Sequence, residues 1–322
     1  MFNSSMFKSF LKNWTLPISM VSGIAAYFAG NAMPLSSEVK ADILHTVEVL
    51  QPLLLFVMLY IAFCKVKPSE MRPHRWHLWA LLTQCLLFLL VSIMLYFIPT
   101  SLGAAHYALE ALMLALICPT ATACAVVTQK LGGDSATTTT YTIIVNLAVA
   151  ILIPLLLPIT HLQSHLTFLS AFTAIIHKVF PLLMLPLLLA WLTRYVLPSF
   201  HAKLISIPDL AFYLWAVALA LAIAITCKAL VHSHESLLTI LSIALATLVA
   251  CLFQFAFGKW LGARYGFRME SGQAMGQKNT IFIIWLGYTF LCPISATAGG
   301  FYSIWHNVVN SYQLYKKRKQ NQ

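Results

Sequence analysis

Runs of about 20 apolar residues, the length a helix needs to cross the hydrocarbon of a bilayer, recur along this chain with only short polar segments between them. They fall at residues 14–30, 44–64, 76–98, 104–131, 135–158, 179–197, 210–230, 236–259, 269–291 and 294–315. Backbone in lipid must satisfy its own hydrogen bonds, so runs of this kind read as helices. The expected fold is an all-α polytopic membrane protein with ten transmembrane helices, forming one transmembrane domain over residues 1–322. Only 9% of the residues are charged, where a soluble domain carries about 25%. The net charge of +11 does not point to nucleic acid, because the basic residues lie in small groups between apolar runs. Sixteen of the twenty Lys and Arg fall on one side of a ten-span arrangement. Lys40, Lys178 and Lys228 fall on the other, and Lys278 lies inside a span. That bias places both termini in the cytoplasm. Seven cysteines, an odd number set in or beside apolar runs, imply no disulfide framework. Residues 14–30 lack a convincing small-residue cleavage site after them and read as a retained first span.

Two spans contain breaks. In span 4, Cys118-Pro119-Thr120-Ala121-Thr122-Ala123-Cys124 interrupts an apolar run. Pro119 has no N–H to donate, and its ring clashes with the preceding turn. In span 9, Gly272-Gln273-Ala274-Met275-Gly276-Gln277-Lys278-Asn279-Thr280 places a lysine and several amide or hydroxyl groups at membrane depth. Backbone freed in this way is tolerated only where it is buried in protein or lines a cavity. Paired interrupted spans in corresponding positions of two halves are the sequence mark of a transporter's binding site. The spans divide as five and five, repeat one over about 14–158 and repeat two over about 178–315, with the break fourth in each. An odd number per half inverts the second repeat. A kinked but continuous span 4, its hydroxyls bonded to their own helix, is the competing reading of the first break.

The residues that carry a family likeness are Lys65-Val66-Lys67-Pro68-Ser69-Glu70-Met71-Arg72, Gln84, Cys118-Pro119 with Thr122-Ala123, Gly133-Asp134, Gln277 and Trp305-His306-Asn307. In their order and spacing, the chain resembles the bile acid:sodium symporter superfamily over nearly its whole length. The resemblance implies a core of spans 3–5 and 8–10 beside a panel of spans 1, 2, 6 and 7, with broken helices 4 and 9 crossing. It implies substrate contacts at Thr122, Ala123, Cys124, Lys278, Asn279, His306 and Asn307. It also implies an ion site, or its vestige, at Gln84, Cys124, Thr138, Thr142, Gln273 and Gln277. Sodium-coupled members carry Ser-Asn where this chain has Cys124-Ala125, a glutamate where the alignment puts Gln273, and an asparagine where it has Lys278. Repulsion between unit charges about 4 Å apart is roughly 4 kcal/mol at an effective dielectric of about 20. At roughly 1.4 kcal/mol per tenfold, that weakens a sodium site by about a thousandfold.

Function follows as an expectation: a secondary active transporter of a small organic anion, working by alternating access, in a bacterial-type inner membrane. Helix N-termini at the crossing and Lys278 suit a carboxylate or sulfate. Such a lysine is expected to hold a proton while an anion is bound and to shed it after release, so H+ stands beside Na+ as a candidate coupling ion; no other cofactor is implied. The alternatives are a sodium symporter of the usual family type, a proton-coupled or uncoupled porter including a metalloid exporter, and a membrane sensor without turnover. No Ser/Lys or Asp/Asp pair and no zincin motif occurs in the spans, so an enzyme is not expected. His161/His165 and His232/His234 lack acidic or thiol partners and do not read as zinc sites. Glu110, in the outer half of span 4, is expected near the outer surface, with a pairing to Lys278 as the alternative. Cys118 and Cys124 read first as small packing residues. The oligomeric state is not encoded in any of these features.

Overall fold

A computed structural model describes residues 4–160, 167–207 and 210–320. It is helical: α1 (Ser4–Ala32), α2 (Ser37–Cys64), α3 (Arg75–Phe97), α4 (Ala104–Ile117), α5 (Cys124–Lys130), α6 (Ser135–Thr160), α7 (Phe168–Val196), α8 (Pro198–Ser206), α9 (Leu210–Val231), α10 (Leu237–Ala263), α11 (Arg268–Gly276), α12 (Thr280–Phe290) and α13 (Pro293–Gln320). Among the described residues, six helices (α2, α3, α6, α7, α9 and α10) are long and apolar enough to span a bilayer, and α4 and α12 are shorter apolar helices. The chain is a multi-pass membrane protein.

Polar residues mark where helices begin. Ser36, Thr167 and Ser236 each accept a hydrogen bond from the N–H three residues on, at 3.3, 3.3 and 3.2 Å, and so cap α2, α7 and α10. At the far end of α2, Arg194 Nη2 donates to the carbonyls of Cys64 (2.7 Å) and Val66 (2.8 Å), satisfying acceptors that a helix end leaves open. Two boundaries differ from the sequence reading. The apolar runs 135–158 and 179–197 leave 159–178 between spans, but α6 runs to Thr160 and α7 is already helical at Phe168. Ser170, Thr173 and His177 lower the hydropathy of that first stretch without breaking its helix. His161 and His165 lie outside the described residues.

The polarity of the bundle is inverted relative to a water-soluble protein. Leu237, Leu238, Leu241, Leu245, Val249 and Leu252 form an exposed apolar stripe on α10, as a lipid-facing surface requires. Inside lie Thr138, Thr142, Asn146, Gln254, Gln273 and Lys278, all buried. Helix α10 packs on α4, α11 and α13; α1 packs on α9; α2 packs on α7 and α9; α6 lies along α7 and also meets α3 and α5. The packing of α10 on α11 depends on close backbone approach: a Cβ at Gly258 would meet Ser271 O at 2.5 Å, and one at Gly262 would meet Phe267 O at 2.2 Å. Gly258→Leu is therefore expected to destabilise the protein by about 1–3 kcal/mol through overpacking, seen as a lower Tm in detergent. Gly30→Ala is the matched control, since nothing lies within 4 Å of a Cβ there.

Candidate functional site

Both expected breaks are present, and they face each other. Between α4 and α5, and between α11 and α12, the chain is extended, and Thr120 pairs with Lys278 in an antiparallel bridge. Asn279 N–H donates to Pro119 O at 2.9 Å, and Ala121 N–H donates to Gln277 O at 2.8 Å. Each break thus supplies the donors that the other lacks. The remaining freed carbonyls are met by side chains. Thr120 Oγ1 donates to Ala274 O (2.7 Å), Tyr302 OH to Gly276 O (2.9 Å), Cys118 Sγ to Asn279 O (3.0 Å) and Gln254 Nε2 to Ala115 O (3.3 Å). At membrane depth no water replaces these bonds.

Gln84 on α3 is the junction of this network. Its Nε2 donates to Ile117 O (3.1 Å) and Cys118 O (3.2 Å), at the open end of α4. Its Oε1 accepts from Tyr141 OH (3.2 Å) and from Lys278 Nζ (3.0 Å). Lys278 has no exposed surface and does not snorkel to either interface. Among the described residues, no Asp or Glu forms an ion pair with it. Instead, the ammonium is held by a neutral amide oxygen beside carbonyls that point out of a helix C-terminus, where the backbone carries partial negative charge.

Against the bridge lies a crevice lined by Met58, Ala121, Thr122, Ala123, Trp215, Gln277, Lys278, Asn279, Thr280, Ile281, His306 and Asn307. It encloses about 20 Å³ in this conformation, room for about one water. Several polar atoms here are buried without a partner: Gln277 Oε1, Asn279 Nδ2 and His306 Nδ1. Asn279 Oδ1 caps α12 by accepting from Phe282 N–H at 3.3 Å, leaving its Nδ2 for something else. Asn279 Nδ2, an unspent donor at a helix N-terminus, suits an anion, whereas Gln277 Oε1 is an acceptor and the role of His306 Nδ1 depends on its tautomer.

A model of the sodium bile acid symporter family matches residues 52–233. The chain belongs to the sodium bile acid symporter family. A comparison with curated proteins finds no match. The matched stretch holds Gln84, the first break, Thr138 and Thr142, and stops short of the second break. Gln273 and Lys278, which the sequence reading set against the sodium-coupled pattern, thus lie beyond it.

Of the residues named for substrate contact, Thr122, Ala123, Lys278, Asn279, His306 and Asn307 come together around the crevice; Cys124 is buried at the start of α5 and is not part of its lining. Asn307 Nδ2 is turned back to Ser303 O (2.7 Å). Thr138 and Thr142 donate to carbonyls of their own helix, at Asp134 and Thr138, both at 3.0 Å. Gln273 Nε2 reaches Gln313 Oε1 at 3.4 Å, and its Oε1 is buried without a partner. Lys278 and Glu110 are not paired. Glu110 is bound to His106 and Ser295 and is buried among side chains. The sequence reading missed Tyr141, Gln254, Tyr302, Met58 and Trp215. A glutamine amid apolar residues signals Gln254 as it did Gln84, but the others look like ordinary core or lipid-facing side chains. Gln84→Leu leaves a buried ammonium without its acceptor and is expected to cost about 3–5 kcal/mol. Gln84→Leu with Lys278→Met is expected to recover most of that loss, as read from the Tm values of the purified single and double variants.

Proposed function

We propose that this protein is a secondary active transporter of a small organic anion, working by alternating access, in which the Lys278 ammonium takes the place of a coupling sodium ion. The observation that carries the reading is the seat of Lys278 Nζ, 3.0 Å from Gln84 Oε1 and fully buried where the two breaks meet. The anion site is the crevice. Asn279 Nδ2 and the N-terminus of α12 supply its donors, joined by His306 in the tautomer that protonates Nδ1, and Lys278 supplies a positive charge behind the bridge. The oxygens left for an ion, Gln84 Oε1, Thr138, Thr142 and Gln277 Oε1, are neutral, and the first of them is already bonded to the ammonium. A second cation there meets a fixed charge at contact distance.

The remaining architecture belongs to the same proposal. The helices are read as ten spans in two inverted repeats, α4–α5 forming span 4 and α11–α12 forming span 9, with α8 between spans. The core is α3–α6 and α10–α13, and the panel is α1, α2, α7 and α9. Both termini lie in the cytoplasm of a bacterial-type cell membrane, beside the basic end formed by Lys65, Lys67, Arg264 and Lys316 to Lys319. Met58 and Trp215, contributed by α2 and α9, close the crevice from the panel side. A cavity this small requires the panel to move before an organic anion enters.

Uptake of radiolabelled carboxylates and organic sulfates into proteoliposomes tests this. Accumulation of at least one of them is expected, at rates that agree in sodium, lithium and choline buffers. Lys278→Met is expected to abolish it while leaving the protein folded. Uptake that rises steeply with sodium, and not with lithium or choline, contradicts the resident-cation reading; Lys278→Met carrying the anion as the wild type does contradicts it equally.

A further inference from the structure

At the basic end of the bundle, three helices bring positive charge together without a counter-charge. Lys259 lies one turn before the end of α10, Arg268 is the first residue of α11, and Lys316 lies one turn before the end of α13. The stem of Lys259 is laid along α11: a Cβ at Gly272 would meet Lys259 Cγ at 2.5 Å and Cε at 3.4 Å. That contact half-buries the side chain. Arg268 and Lys316 are the charges that act on its ammonium, and both are positive. Among the described residues, no Asp or Glu lies within ion-pair distance of Lys259, Arg264, Arg268 or Lys316. The acids of this end are engaged elsewhere. Glu270 Oε1 accepts from Asp134 N–H at 2.8 Å, Asp134 Oδ1 accepts from Ala136 N–H at 2.8 Å, and Glu70 pairs with Lys67 at 3.2 Å.

The cluster lies at the foot of the lipid-facing stripe of α10. At about 3.6 residues per turn, Lys259 falls on the same edge of the helix as Leu241 and Leu252, both of which are exposed. Ala256 and Ala263 come next around the helix and are also exposed. Trp260 and Arg264 form the far edge: Trp260 is 51% exposed, and Arg264 Cζ lies 3.7 Å from its ring centroid. The result is a shallow groove, with two alanines as its floor, Lys259 on one side and the stacked Trp260–Arg264 pair on the other. It continues along α10 into the exposed Leu252, Val249 and Leu245. A tryptophan on a lipid-facing surface marks the level of the headgroups.

Like charges held together by helix packing cost stability unless an anion joins them. A zwitterionic headgroup brings its own ammonium and adds to the repulsion. A soluble phosphate answers the charge but makes no use of the apolar stripe that runs from it. A phospholipid with a net negative headgroup answers both, and basic pockets between membrane helices bind such headgroups. From this geometry we propose that the groove at the end of α10 is a binding site for an anionic phospholipid, its phosphate held by Lys259, Arg264, Arg268 and Lys316 and an acyl chain lying along the leucines of α10. The headgroup relieves the repulsion among α10, α11 and α13, and so ties one half of the second broken span to its neighbours.

Native mass spectrometry of the full chain, released from detergent and titrated with phosphatidylglycerol or with phosphatidylcholine of the same acyl chains, tests the site. No flux is measured, so failure here is distinct from failure of the transport reading. The wild type is expected to retain phosphatidylglycerol in clear preference to phosphatidylcholine. A basic residue at a membrane surface is worth about fivefold in affinity for an anionic lipid, so Lys259→Gln with Arg268→Gln is expected to weaken phosphatidylglycerol about 25-fold and to leave phosphatidylcholine unchanged. Lys130→Gln with Lys203→Gln removes the same charge from exposed side chains elsewhere and should leave the preference intact. Equal retention of the two lipids by the wild type, phosphatidylglycerol binding unchanged in the first double variant, or binding lost as fully in the second would each overturn the proposal. So would displacement of phosphatidylglycerol by an equal concentration of glycerol 3-phosphate, which would make this a site for a soluble anion. Should the first double variant not fold, Lys316→Gln, at an exposed side chain, decides the point: a loss of about fivefold is expected, and no loss overturns it.

Discussion

Two interrupted helices can lie inside a membrane only if each supplies what the other is missing. Here the bond from Asn279 N–H to Pro119 O and the bond from Ala121 N–H to Gln277 O join the two breaks as a two-rung ladder. Every other feature of the site depends on that pairing. It sets the extended backbone at Lys278, which turns this side chain away from Gln277 and Asn279, its neighbours on the strand. It also leaves a set of helix-end carbonyls on one side, which Gln84 bridges, and the N-terminus of α12 on the other, which borders the crevice.

The arrangement separates charge by backbone geometry. Carbonyl ends and neutral oxygens gather around the Lys278 ammonium, while amide ends and the unspent donor of Asn279 gather beside His306. A soluble protein would use a carboxylate to hold such a lysine. In this bundle the partner is Gln84 Oε1, which leaves a net positive charge next to the crevice. Under the proposed function, an anion entering the crevice completes a charge balance that the resting protein lacks. Gln84 serves both sides of the arrangement, because its amide nitrogen holds the end of α4 while its oxygen holds the ammonium.

Much of this was legible in the sequence. Pro119 among apolar residues and the polar run from Gln273 to Thr280 located both breaks, because proline and buried amides have few other places in a membrane span. The lining residues Thr122, Ala123, Asn279, His306 and Asn307 were implied by the family resemblance. What the sequence did not carry was direction. Nothing in the composition of span 9 says that Lys278 Nζ reaches Gln84 Oε1; that depends on the extended backbone at the bridge. The partners of Glu110 were hidden for a related reason. Its partners are His106, one turn before it, and Ser295, nearly two hundred residues away, and only packing brings the latter close. The start of α7 was hidden because Ser170, Thr173 and His177 look like loop residues by hydropathy, yet a helix accepts them without difficulty when its cap is in place.

The central claim is that a side chain occupies the cation's place. An anomalous-scattering or cryo-EM structure in thallium(I), a heavy monovalent ion, examines that position directly. The account predicts no thallium beside Gln84 Oε1 in the wild type, with the Lys278 ammonium in contact with that oxygen, and a thallium peak there once Lys278 is replaced by alanine. Thallium bound to Gln84 Oε1 in the wild type, with the lysine swung away, would contradict it.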